Sequence, residues 1–251
     1  MSYSEIPSIR IAGSGKSELP GYGLLKISGT GRVCAEEIST KGSSRIPGGL
    51  RLRNLRSSGS TRVEGDITAD SITFSGSAHI EGDLNCNELS KSGSLKVGRK
   101  LNADFAKVSG STKVNEEGII KTELCSSGSI SFGGDLVSEG KIRYTGVMDV
   151  EGGLKARHFE ARLGSNDSHI RKGVNANLID VRKEESRKMG FLVTRDIVGE
   201  EIILENVLCD NIEGDKIIIL PGCTVRGTIR YRDDVKVDRQ SKLNSEPQKI
   251  L

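Results

Sequence analysis

A glycine returns every 17 or 18 residues through most of the chain, at Gly42, Gly59, Gly76, Gly93, Gly110, Gly128, Gly146 and Gly164. Five of these sit at the centre of a Ser-Gly-Ser tripeptide: Gly59, Gly76, Gly93, Gly110 and Gly128. A fixed short period means one structural unit stacked on copies of itself. Such units bury their apolar faces only against each other, so function has to be sought on an elongated stack and its ends.

Apolar residues keep fixed offsets from the glycine. Four residues on lie Val63, Ile80, Val97, Val114, Phe132 and Val150; eight on lie Ile67, Leu84, Leu101, Leu136 and Leu154. Ten on, the slot takes mainly small side chains, Ala69, Cys86, Ala103 and Ala156, and thirteen on come Ile72, Leu89 and Phe159. A spacing of two is the strand period, and glycine corners supply turns that need φ > 0. Helical spacing is absent. The pattern predicts an all-β chain whose 17–18-residue unit is one coil of a parallel β-helix holding three short strands, with the aliphatic residues piled into interior columns. Aromatic residues make up only 4% of the chain, and Trp is absent, as a narrow bore requires.

Residues 1–20 are polar and glycine-rich and read as a flexible segment. The β-helix is expected over residues 21–182, and the charge run that follows, residues 182–190, as a loop or short helical excursion. Beyond it Gly199-Glu200-Glu201-Ile202-Ile203-Leu204 recurs as Gly214-Asp215-Lys216-Ile217-Ile218-Ile219, an interval of 15. Residues 191–231 therefore read as further coils or a small β cap, and 232–251 as a disordered tail.

Motifs for chemistry are weak. The five cysteines lack C-x-x-C spacing, and Cys86 fills a slot that elsewhere holds alanine, which points to a small buried residue. His79, His158 and His169 are too scattered along the period to converge on a zinc ion. Gly13-Ser14-Gly15-Lys16-Ser17 superficially matches a phosphate-binding loop, but Arg10 stands where its first glycine belongs and no helix-forming sequence follows. Glu64-Gly65-Asp66 and Glu81-Gly82-Asp83 read as solvated corners. With 37 basic and 34 acidic residues the balance gives no strong footprint for nucleic acid. No cofactor, metal or catalytic residue is expected. No 18-residue apolar stretch or signal peptide is seen, so a cytoplasmic location is expected.

Segments such as Val63-Glu64-Gly65-Asp66-Ile67-Thr68-Ala69 and Ile80-Glu81-Gly82-Asp83-Leu84-Asn85-Cys86 resemble the bactofilin family over roughly residues 25–181. The resemblance implies a right-handed β-helix that polymerises end to end without nucleotide. It also implies a non-enzymatic cytoskeletal scaffold at the membrane, acting in cell shape, wall synthesis or motility. The partner is then a second copy of the chain, as homopolymer or homodimer, with a membrane surface or membrane-associated proteins beside it. A β-helix ends in unpaired backbone groups, so docking of like ends is favoured. The candidate interface is Leu25, Ile27 and Val33 at one end and Ile217, Ile219, Val225 and Ile229 at the other. The alternative is a monomeric β-helix that binds or cleaves polysaccharide, or an adaptor for a protein partner.

Overall fold

A computed structural model describes residues 3–184 and 190–250, and among them every regular element is a β-strand. The chain divides into two units, Met1–Ile119 and Ile120–Leu251. The middle of the expected excursion at 182–190 lies outside the described residues.

The first unit holds β1 (Ile6–Leu19), β2 (Gly23–Ala35), β3 (Glu37–Pro47), β4 (Leu50–Glu64), β5 (Ile67–Ile80), β6 (Leu84–Val97) and β7 (Leu101–Val114). From β3 to β7 each strand pairs in parallel with the next at an offset of 17 residues. Like side chains therefore stack on like. Ile46, Val63, Ile80, Val97 and Val114 form one interior column, and Leu50, Ile67, Leu84 and Leu101 another. Cys86 stacks between Ala69 and Ala103.

The corner glycines also stack, and this changes the expected three short strands per coil. Gly59, Gly76 and Gly93 have φ of 116°, 116° and 107°. Because every rung bends identically, the ladder continues through the corner and joins two straight pieces into one strand of 14 or 15 residues.

Residues flanking the corner by two positions point inward as well. The column before it runs Ser57, Phe74, Lys91, Val108, and the one after it Thr61, Ala78, Leu95, Thr112; all eight are buried. Its polar members find each other. Thr40 donates to Ser57 at 2.8 Å, and the Ser44 and Thr61 hydroxyls lie 2.8 Å apart. Such pairing removes most of the penalty for a buried hydroxyl.

Lys91 is the exception in charge. Its side chain is buried, and Nζ donates to the Ser111 carbonyl and to Thr112 Oγ1 at 3.0 Å, both uncharged acceptors. Burial disfavours the ammonium and lowers its pKa to about 8. The unfolded chain, with a lysine pKa of about 10.4, binds more protons than the folded one between these values, so stability rises with pH through that window and is lowest below pH 8. Lys91→Met is expected to stabilise the fold by about 1–3 kcal/mol at neutral pH and to flatten this slope. Urea unfolding of both proteins at pH 7 and pH 10 checks it; an equally destabilised Met variant at both pH values contradicts it.

At the start of the chain the direction reverses twice. β1 pairs antiparallel with β2, and β2 antiparallel with β3. Leu19-Pro20-Gly21-Tyr22 closes the first reversal: Tyr22 N–H donates to the Leu19 carbonyl at 2.9 Å and Gly21 has φ of 78°. Pro followed by Gly at the two central positions is the type II turn signature. Residues 1–20, expected to be flexible, thus supply a 14-residue strand. Ser4 fastens the segment before it, donating from N–H to the Arg51 carbonyl at 2.8 Å and accepting the Arg51 N–H on Oγ at 2.9 Å.

The unit boundary falls inside β8 (Gly118–Phe132). The second unit continues with β9 (Leu136–Ser138), β10 (Lys141–Val150), β11 (Gly153–Leu163), β12 (Ser168–Lys183), β13 (Leu192–Leu204) and β14 (Val207–Cys209). It ends with β15 (Asn211–Ile219), β16 (Thr224–Val225), β17 (Ile229–Val237), β18 (Lys242–Leu243) and β19 (Gln248–Lys249). Every pairing described within it is parallel. Leu124, Ile142, Phe159, Ile179, Ile202, Ile217 and Val235 form one continuous column, and Leu136, Leu154, Val174, Ile197, Ile212 and Ile229 a second. Residues 191–231 are therefore coils stacked on their predecessors in this unit, and Gly199 sits over Gly214 as their 15-residue interval requires. The tail expected to be disordered after 231 contributes the end of β17 and the short strands β18 and β19.

Candidate functional site

All fourteen residues expected in the core are buried, each 2% exposed or less: Val63, Ile67, Ile72, Ile80, Leu84, Leu89, Val97, Leu101, Val114, Phe132, Leu136, Val150, Leu154 and Phe159. The expected interface residues need correction. Leu25, Ile27, Val33, Ile217, Ile219, Val225 and Ile229 are also core, none more than 3% exposed. The coils do not stop where the glycine period does. β1 lies alongside Leu25, Ile27 and Val33 with Ser17, Gly15 and Ile9 opposite them. Val235 and Val237 pair with Ile217 and Ile219, and Leu243 with Val225. The real edges are therefore β1 in one unit and β17 to β19 in the other.

These edges differ in kind. β1 is a long strand that, among the described residues, pairs with β2 alone, leaving the hydrogen-bonding groups of its far side open. Ile9 and Ile11 on this strand are only half-buried. In the second unit β18 and β19 are two residues long, carry Lys242 and Lys249, and are separated by a stretch containing Pro247. Short strands, lysine and proline are devices that discourage further pairing. β1 carries Pro7 near one end and Lys16 near the other, with neither proline nor lysine over residues 8–15.

The three histidines have different surroundings. His79 lies in the first unit, between Arg62 and Lys96 in register. His158 pairs in register with Lys141 and Leu178, and His169 Nδ1 lies 3.2 Å from Asp149 Oδ1. Among the described residues no group of three or more His, Cys, Asp or Glu side chains could hold a metal ion. No disulfide links the five cysteines, and burial pushes the Cys86 thiol up to about 12, far from a reactive thiolate. The Glu-Gly-Asp corners are structural: Asp66 Oδ1 accepts the Asp83 N–H at 2.8 Å, and Asp83 Oδ1 accepts the Lys100 N–H at 3.1 Å. No helix of the described residues is long and apolar enough to cross a membrane.

No family model and no solved structure matches the chain. A curated protein, the uncharacterized protein YhbF of Bacillus subtilis (strain 168), is 29% identical over 96 residues. That alignment covers 37% of this chain and 40% of the relative, so the chain matches well under half of YhbF's length.

Proposed function

We propose that this protein is a non-enzymatic scaffold that self-assembles through the ends of its stacked coils, without nucleotide, and organises machinery at the membrane, the cell wall or a motility apparatus. The observation that carries this reading is the open far side of β1, a 14-residue strand edge next to half-buried Ile9 and Ile11. Pairing that edge with a second copy satisfies its backbone groups and covers the two isoleucines. The first contact is then isologous, β1 against β1, and longer polymers add the weaker C-terminal edge. The bactofilin-like coil phrases around Val63 and Ile80 agree with this use of the fold. Membrane contact would come through the assembled polymer rather than through a spanning segment.

Analytical ultracentrifugation of the purified chain, free of nucleotide, should show dimers and larger species growing with concentration. Ile9→Asp/Ile11→Asp, which puts carboxylates at that end, should remain folded by circular dichroism and sediment as monomer. A wild-type protein that stays monomeric across a hundredfold range of concentration counts decisively against self-assembly.

A further inference from the structure

Three residues from each corner of the first unit, before it on the reversed strand β2 and after it on the others, the chain places a basic side chain. Lys16, Lys26, Arg45, Arg62, His79, Lys96 and Lys113 follow one another in register across β1 to β7. Next to the corner itself runs a second column, Ser14, Ser28, Ser43, Ser60, Ser77, Ser94 and Ser111, every member exposed. At about 4.8 Å per rung the seven rungs extend about 29 Å. Over β1 to β4 these columns line a groove of about 600 Å³.

Stacking like charges directly opposite one another is destabilising unless neighbours of opposite sign offset it. In the second unit Glu160 stacks in register with Asp180 and Arg162 with Arg182, but Arg162 and Arg182 form ion pairs with these carboxylates and Arg143 bridges Glu123 and Glu160, at separations of 2.8 to 3.6 Å. Along the cation column only Arg45 and Arg62 have carboxylate partners, Glu64 and Glu81. Lys16, Lys26, Lys96 and Lys113 have none within ion-pair distance among the described residues. The charge is thus retained at a structural cost, and its periodicity is that of a linear ligand lying along the stack.

We propose that the column binds a linear polyanion whose oxyanions are carried on a flexible backbone, either a chain of phosphates or an acidic glycan. The lysines and arginines neutralise successive anionic groups, and the serine hydroxyls donate to their oxygens. No aromatic side chain lines the groove, so single-stranded nucleic acid lacks the stacking platforms it uses. Lys26 is half-buried inside the groove, where a planar bilayer meets only the rim. This inference is independent of self-assembly and reads out separately from it.

The test is titration of the full chain with sodium polyphosphate and, in a separate arm, with alginate, alongside a single-stranded oligonucleotide and phosphatidylserine vesicles. Saturable binding of polyphosphate or alginate is expected, weakening with salt at about 0.7 log units per neutralised cation for each tenfold rise. Lys16→Gln/Lys26→Gln should weaken that binding about tenfold or more at low salt and reduce the salt slope by more than one. Lys96→Gln/Lys113→Gln should weaken the binding of long chains as well. Lys107→Gln, an exposed cation outside the column, should leave it unchanged. The proposal is overturned by no binding of either polyanion, by an equal loss in Lys107→Gln, or by tighter binding of the oligonucleotide or the vesicles.

Discussion

Val97→Asp is expected to abolish the folded state of the first unit. Val97 is fully buried and stacks in register between Ile80 and Val114. A carboxylate there would replace methyl contacts with an unpaired charge, and no cation shares its column. Leaving it ionised costs several kcal/mol, and the group escapes part of the cost by taking up a proton. Its folded pKa would then stand above the unfolded value of about 3.9. The unfolded chain releases that proton first, so stability falls as pH rises from about 4 toward neutrality. A loss of more than about 3 kcal/mol at pH 7, partly recovered at pH 4, is the expected result in urea unfolding. A soluble variant with wild-type unfolding at neutral pH would show that position 97 faces water.

Gly76→Ala carries the second large effect, for two separable reasons. Gly76 has φ of 116°, a region that side chains rarely occupy, and an added Cβ would lie 2.4 Å from the Gly59 carbonyl oxygen one rung below. That oxygen belongs to the backbone of a strand held on both sides, so it cannot move aside. Gly13 on β1 offers the comparison: its φ is 92°, but nothing lies within 4 Å of an added Cβ. Gly13→Ala should therefore lose only the conformational part, about 1–2 kcal/mol. Gly76→Ala should lose about 3 kcal/mol or more, because the collision adds to it. Thermal unfolding of the two variants side by side measures the difference. Equal losses would mean that the corner glycines serve backbone conformation alone and that the rungs are not in close contact.

Much of the stack was legible because the chain repeats in the direction of reading. Val63, Ile80 and Val97 recur at one spacing, and a parallel coil places residues of one offset in one column. What escaped has physical causes. The columns flanking the corner mix Ser57, Phe74, Lys91 and Val108, so hydrophobicity alone does not mark them as interior. They are inside because the corner turns both flanking side chains toward the bore, and their polar groups are satisfied there by one another.

The reversed strands escaped for a different reason. Gly13-Ser14-Gly15-Lys16 is followed by Lys26-Ile27-Ser28-Gly29, the same motif written backwards, and then by Gly42-Ser43-Ser44-Arg45 in the forward sense. A search for forward periodicity passes over a mirrored copy, although Pro20-Gly21 between the first two marks the turn. The apparent phosphate loop at Gly13 to Ser17 is the first corner of this series, and its Ser14 and Lys16 begin the exposed columns. Because the true edge lies on β1, the expected interface at Leu25, Ile27 and Val33 fell one strand inside the molecule. Assembly state and ligand are written in no interior column, since both depend on exposed residues that the fold leaves free to vary.

Cross-linking by introduced cysteines reports most directly on the proposition beneath all of this, that each coil lies over the last with a fixed register. Ser58 and Ser75 are exposed and paired across β4 and β5, whereas Ser92 is paired with Ser75 one rung further on. A disulfide needs Cα atoms about 4.4–6.8 Å apart; adjacent rungs satisfy this at about 4.8 Å, and alternate rungs, at about twice that, do not. Under mild oxidation, Ser58→Cys/Ser75→Cys should form the intramolecular bond, mapped by peptide mass spectrometry, and Ser58→Cys/Ser92→Cys should not. Efficient closure of the second pair with failure of the first would contradict the stacked coil and everything argued from it.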